Sequence, residues 1–198
     1  MSAPIRKFLA AFLIFNLVFP ATLFARGGIT ADQAAPAGKR PGIASAQNGV
    51  PLVNITTPSK SGLSHNQYSD FNVGKQGVIL NNSQQLGASQ LGGMVSGNPN
   101  LGKSGPAKTI LNEVTGAGRS HIQGYIEVHG QKADVILANP NGVTINGGGF
   151  INTGRATVTT GRPDVDHTGM LRGFDVRQGD VRVEGAGINA SNLTGFDI

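Results

Sequence analysis

Four histidines, a pair of aspartates and one glycine-rich octapeptide are the residues whose chemistry must be weighed first. His65, His121, His129 and His167 are scattered along the chain. His121 and His129 fall on one face of an alternating run, at a separation of roughly 26 Å along an unbroken strand. They cannot share a metal at that distance, so no metal centre is expected. Glu127 and His129 stand on that same face at i, i+2, where the expectation is two solvated side chains. Asp164 and Asp166 flank Val165 beside Pro163, which reads as a solvated turn. No nucleophile elbow and no spaced carboxylate pair stand out. The chain is expected to be no enzyme and to carry no cofactor.

Gly97-Asn98-Pro99-Asn100-Leu101-Gly102-Lys103-Ser104 spells the phosphate-binding loop of nucleotide hydrolases. That loop works because a strand leads in, a helix leads out, and backbone N–H groups cradle phosphate. Here Gly105-Pro106 comes next and would break the helix near its first turn. Pro99 also removes one N–H. No nucleotide binding is expected.

A different chemistry belongs to two related tetrapeptides, Asn98-Pro99-Asn100-Leu101 and Asn139-Pro140-Asn141-Gly142. Proline fixes φ, asparagine tolerates turn and left-handed backbone, and Gly142 supplies positive φ without a Cβ clash. Asparagine side chains at such corners can satisfy backbone groups. Replacing Asn139 or Asn141 is therefore expected to impair folding.

The elements that must position these corners are short strands. Val50–Ile55 is one, with Pro51 suited to a first or edge position. Further runs are Phe71–Val73, Val78–Leu80, Thr109–Val114, Val135–Ala138, Val143–Ile145, Phe150–Ile151, Ala156–Val158, Phe174–Val176, Val181–Val183 and Gly187–Asn189. His121–His129 alternates most clearly, with Ile122, Gly124, Ile126 and Val128 on one side. Asn81-Asn82, Asn139–Gly142, Asn146–Gly149 and Asn152–Gly154 suit corners. No window carries a sustained helical stripe. Runs of this length suggest a sandwich or a solenoid, and the reading preferred is all-β: a right-handed parallel β-helix, a single-stranded solenoid with extra-helical strands.

Composition agrees. The chain has 198 residues, 30 of them Gly, about twice ordinary usage. Trp and Cys are absent and only 14% of residues are charged. Arg6 and Lys7, the apolar run Phe8–Phe19, Pro20 and the small residue Ala25 read as an export leader over 1–25. Its removal lowers the net charge from +5 to +3. That modest, dispersed charge gives no basic stripe for nucleic acid. A cysteine-free exported chain suits passage through a second membrane, since no disulfide can close a loop. Residues 26–48, rich in Ala, Gly and Pro, read as an extended N-terminal arm. Residues 49–198 read as the β-helix domain. The Asn-x-Ser/Thr triplets are not taken as glycosylation sites.

The two Asn-Pro-Asn motifs, with Val50–Ile55, Gly62–Asn66, Tyr68–Val73, Ile110–Val114, Gly148–Thr153 and Gly187–Asn192, resemble the N-terminal two-partner secretion domain. That domain, also called the haemagglutination activity domain, opens filamentous haemagglutinins, large haemolysins and contact-dependent inhibition proteins of Gram-negative bacteria. The resemblance implies a secretion-targeting module that seeds β-helix folding at the cell surface. It implies transfer by the general export machinery and recognition in the periplasm by the soluble repeats of a partner outer-membrane barrel. It places Asn98, Pro99, Asn100, Leu101, Asn139, Pro140, Asn141 and Gly142 in a secretion motif. The expected destination is the medium or the cell surface, reached through the periplasm. The chain is expected to begin a longer solenoid whose cargo is an adhesin or a contact-dependent toxin. That downstream region would meet a host or neighbouring cell. The competing reading is a free-standing adhesin or carbohydrate-binding β-helix presenting Tyr125. A polysaccharide-cleaving β-helix would need clustered acids, and the 11 Asp and Glu are dispersed.

Overall fold

The computed structural model describes residues 28–198, so the expected leader, 1–25, lies outside the described residues. Apolar runs this brief, closed by Gly or Asn, allow only short strands. The first nine are β1 (Ile29–Ala31), β2 (Gly42–Ser45), β3 (Pro51–Asn54), β4 (Leu63–Phe71), β5 (Val78–Asn82), β6 (Gly87–Ser89), β7 (Gly93–Val95), β8 (Thr109–Val114) and β9 (Ser120–Ile122). The remainder are β10 (Ile126–Gly130), β11 (Ala133–Ala138), β12 (Val143–Ile145), β13 (Phe150–Ile151), β14 (Thr153–Thr159), β15 (Arg162–Val165), β16 (Leu171–Asp175), β17 (Val181–Val183) and β18 (Gly195–Asp197). Pro51 takes the first position of β3, where its missing N–H costs least.

The chain winds as a parallel β-helix with three faces. Sheet A has the order β1-β4-β8-β11-β14-β18, sheet B β13-β10-β5-β3-β2, and sheet C β17-β12-β9. Successive coils visit B, A and C in turn: β5-β8-β9, β10-β11-β12, β13-β14-β17. Inward side chains stack from coil to coil. Val53, Leu80 and Val128 share one register in sheet B. Ile110, Val135, Ala156 and Phe196 share one in sheet A. These belong to one continuous apolar core, and each fully buried aliphatic contributes about 1.5–3 kcal/mol.

Two asparagines enter this core on sheet A. Asn66 and Asn112 pair across β4 and β8 and are fully buried. Asn66 donates to the Leu111 carbonyl at 3.2 Å, and Asn112 donates to that of Ile136 at 3.2 Å while accepting from the Tyr68 hydroxyl at 2.9 Å. Each buried amide thus has partners, as a buried polar group requires.

The turn from sheet C to sheet B is built on stacked backbone. A Cβ on Gly124 would lie 2.1 Å from the Gly74 carbonyl oxygen, and one on Gly148 would lie 2.2 Å from that of Gly124. Gly74, Gly124 and Gly148 thus form a column that leaves no room for side chains at Gly124 and Gly148.

Two hairpins stand outside the coil. β6 and β7 pair antiparallel, as do β15 and β16. The first leaves the sheet B to sheet A corner and covers the outer face of sheet B, where Val50, Ile79 and Val95 cluster with Ala46, Leu52 and Leu91. The second covers the outer face of sheet A, where Val165, Leu171 and Phe174 pack on Leu63, Leu111, Ile136 and Ala138.

The structure corrects five expectations. Asn81 and Asn82 end β5 instead of forming a corner, and Asp164 lies in β15 instead of a turn. Residues 26–48 are not a separate arm: β1 pairs antiparallel with β4 and β2 with β3, so within the described part this stretch is built into sheets A and B. His121–His129 is not one strand, because the glycine column bends the chain at Gly124 and puts β9 and β10 in different sheets. Glu127 and His129 are not solvated; they are 3% and 4% exposed, beneath the β6–β7 hairpin.

Candidate functional site

Both Asn-Pro-Asn segments occupy corners of the coil, and both share one internal geometry. Each first asparagine curls back so that its Oδ1 accepts the amide of the second: Asn100 N–H to Asn98 at 2.9 Å, and Asn141 N–H to Asn139 at 2.9 Å. Proline between them cannot donate and fixes the turn. Each then closes through the carbonyl of the first residue, which accepts from Leu101 at 3.4 Å in one case and from Gly142 at 2.9 Å in the other.

The side-chain amides reach neighbouring turns of the coil. Asn98 Nδ2 donates to the carbonyls of Ile55 and Asn81, both at 2.9 Å. Asn100 Nδ2 donates to those of Asn54 and Ile55, both at 3.2 Å. At the other corner Asn139 Nδ2 donates to the Gly118 carbonyl at 3.0 Å and to the Ser120 hydroxyl at 2.9 Å. Asn141 Nδ2 donates to the Gly116 carbonyl at 2.7 Å. The motifs therefore satisfy carbonyls that leave the ladder where a coil turns.

All eight expected site residues thus fall in two corners, and the two corners are separate. Asn98–Leu101 closes the long excursion between β5 and β8, and Asn139–Gly142 joins β11 to β12. Leu101 is fully buried in the central core. Gly142 holds φ at +101°, and a Cβ there would meet the Arg119 guanidinium at 2.5 Å. Beside the second corner lies a cleft lined by Glu113, Thr115, Asn141 and Arg162.

The nucleotide-loop lettering has no nucleotide-loop geometry. Gly102–Ser104 is a single 3-10 turn, and the amides of Ser104 and Gly105 are both spent on the Leu101 carbonyl, at 3.0 and 3.2 Å. Among the described residues no three His, Cys, Asp or Glu side chains converge on a possible metal position.

Two polar clusters, one buried and one half-buried, were not legible in the sequence. Glu127 accepts from the Ser89 hydroxyl at 2.7 Å and from the amides of Gln90 and Leu91 at 2.8 and 2.9 Å. It fastens the β6–β7 hairpin to sheet B. Beside it, burial holds the His129 imidazole below the ordinary histidine range, against the opposing pull of Glu127. On the outer face of sheet A, Glu113 is bonded by His65 and Gln67, both at 2.7 Å. Burial pushes the Glu113 carboxyl up, but these hydrogen bonds outweigh it and hold the group below its usual range.

Comparison with known proteins gives this architecture its relatives. Residues 27–198 match the TPS secretion domain family. The chain is 59% identical over 154 residues to the 16S rRNA endonuclease CdiA of Enterobacter cloacae subsp. cloacae, an overlap of 77% of this chain and 5% of that protein. It is 47% identical over 177 residues to toxin CdiA of Yersinia pestis, covering 89% of this chain and again 5% of the relative. A crystal structure of the filamentous hemagglutinin secretion domain superposes with a TM-score of 0.77 at 41% identity, over 85% of this chain and 54% of that one. The match begins at residue 27, and so takes in the stretch expected to be an arm.

Proposed function

The chain belongs to the TPS secretion domain family, and from that premise we infer that it is the targeting module of a much longer exoprotein, read in the periplasm by its partner barrel. A TPS domain is a non-catalytic secretion-targeting unit, and it implies an outer-membrane partner transporter and a secreted or cell-surface product. The further reading is mechanistic. The general export machinery delivers the chain unfolded to the periplasm. There its strand-prone segments add to a sheet edge in the soluble repeats of the barrel, through main-chain hydrogen bonds. Coils close one upon another outside the cell, and a closed coil cannot slip back through the pore.

The observation that supports this most directly is the wiring of the two Asn-Pro-Asn corners. Their amides are spent inside the folded coil, on carbonyls of other turns. In the folded domain these side chains hold structure together, and only the unfolded chain offers them freely to a receptor. Their role in secretion then runs through folding and through presentation of the unfolded strand.

The chain spans about one-twentieth of the length of the CdiA relatives it matches. We read its cargo as a contact-dependent toxin of that kind, with contact to a neighbouring or host cell made by the downstream part. The deciding experiment is secretion in a Gram-negative host with and without the partner barrel, using Asn139→Ala/Asn141→Ala as a control. Appearance in the medium only with the barrel, and loss in the double variant, is the expected result. Release without the barrel would overturn the reading and favour a free-standing adhesin.

A further inference from the structure

Five clefts stand out on the surface of the described residues. Four have a carboxylate in the wall, supplied by Asp134, Glu113, Glu184 or Asp70. The fifth, of about 360 Å³, has none; it is lined by Ser59, Lys60, Ser104, Pro106 and Lys108. We propose that this cleft binds a phosphate monoester, held between the ammonium groups of Lys60 and Lys108 with the Ser104 hydroxyl as a further donor.

Three observations carry the proposal. The first is charge. The ion pairs among the described residues all use arginine or His65, and none engages Lys60, Lys103 or Lys108. Exposed cations in a concave wall without a counter-ion raise the local potential, and concave walls focus it. Lys103, next to Ser104 in the chain, is a third exposed cation of the same segment.

The second is rigidity. The Ser59 and Ser61 hydroxyls both donate to the Gly169 carbonyl, at 2.9 and 2.8 Å. This ties the loop before β4 to the turn of the β15–β16 hairpin. The Lys108 and Thr109 amides donate to the Gly62 carbonyl at 2.9 and 3.2 Å, so the two walls are joined at their base. The Lys108 stem lies against Gly62, where a Cβ would come within 2.9 Å of its Cγ. Pre-set walls lower the ordering cost of binding.

The third is the chemistry of the donors. Lys103-Ser104 is the pair that spells a nucleotide loop, yet the amides of Ser104 and Gly105 are spent on Leu101. A backbone cradle for a polyphosphate is therefore missing, and point charges plus a hydroxyl remain. Two ammonium groups suit a compact dianion, because lysine binds phosphate as a point charge.

The ligand has two possible sources, a lipid headgroup or a soluble phosphate ester, and the test separates them. The purified protein is mixed with phosphatidylcholine vesicles with and without phosphatidate, and separately titrated with inorganic phosphate while amide shifts are followed. Lys60→Gln and Lys108→Gln change exposed side chains, so circular dichroism is expected to be unaltered. Lys75→Gln, at the sheet C to sheet B corner, controls for net charge. Phosphatidate binding that falls about five-fold per cleft lysine removed, and is kept in Lys75→Gln, supports a lipid source. Phosphate-induced shifts at Lys60, Ser104 and Lys108 without vesicle binding, lost in the same two variants, support a soluble ester. Absence of binding in both arms, or an equal loss in Lys75→Gln, overturns the proposal.

Discussion

The two Asn-Pro-Asn corners share a turn and differ in the residue that leaves it. After Asn98-Pro99-Asn100 the chain turns inward, and Leu101 plugs the core with no exposed surface. After Asn139-Pro140-Asn141 it keeps to the rim, and Gly142 passes beneath the Arg119 guanidinium, which a Cβ there would have to displace. The first corner ends an excursion that makes its coil twice as long as the next: Val78 is matched to Ile126, and Ile126 to Phe150. The second corner sits in the short coil, with no excursion to close. One motif thus serves two tasks. Where a long insertion must be recaptured, the fourth residue anchors it by burial. Where the coil is already tight, the fourth residue must take up as little room as it can.

The sharpest way to break this contrast is to remove the anchor. Leu101→Ala is expected to cost about 2–5 kcal/mol, read as a lower urea midpoint. If Leu101→Ala cost no more than a surface change, the anchor would be an illusion. Next come the first asparagines. Asn98→Ala strands the carbonyl of Asn81 and the amide of Asn100, leaving the Ile55 carbonyl with Asn100 alone, and Asn139→Ala strands the carbonyl of Gly118 and the amide of Asn141. Each is expected to cost about 1–3 kcal/mol per orphaned buried group. Similar losses at both positions would confirm that the shared turn matters equally at each corner. Gly142→Ala is expected to cost about 1–2 kcal/mol from backbone strain alone, with Arg119 swinging away; its thermal midpoint should drop less than that of Leu101→Ala.

Acid should separate the excursion that the first corner closes from the second corner. His129 is held below the ordinary histidine range by burial under the β6–β7 hairpin. The unfolded state therefore binds more protons near the ordinary pKa of about 6.5, so stability is fully present above it and falls as pH drops below. Hydrogen exchange at Gln90 and Leu91 should quicken between about pH 7 and pH 5.5, while Asn141 and Gly142 stay protected. His129→Gln should flatten that response, and a uniform loss at the hairpin and the second corner would count against the assignment. The smallest effect belongs to the exposed pair of Arg119 with Asp180 beside the second corner. Arg119→Ala is expected to change stability by about 0–1 kcal/mol, seen in the same urea series.

How far each strand is legible in the residues depends on how it is covered. Thr109–Val114 and Val143–Ile145 are strands with the expected bounds, because aliphatic residues facing a narrow core leave a plain pattern. The corner at Asn152 is likewise legible, and Asn152 is the one non-glycine residue with positive φ among those described, whereas Asn81 and Asn82 extend β5 instead of turning it. The nine-residue β4 shows in the sequence only at Phe71, since its inward positions include Ser64 and Asn66. Their partners are other coils, which local alternation does not reveal. Glu127 departs from expectation for a related reason. Its donors arrive on a hairpin 38 residues earlier in the chain, and no neighbour in sequence announces that cover. Of the site, the turn-forming role of Asn98, Asn100, Asn139 and Asn141 is readable from residue type. The burial of Leu101 is not, because nothing local marks the point where an insertion rejoins a coil.

The glycine column at Gly74, Gly124 and Gly148 gives the solenoid a ruler. A one-residue slip at this edge would push Gln123 or Tyr125 into a space where even a methyl group would stand about 2 Å from a carbonyl, and a slip there flips every side chain to the wrong face. Each new coil is thus measured against the one before, at a notch that only a residue without a side chain can pass.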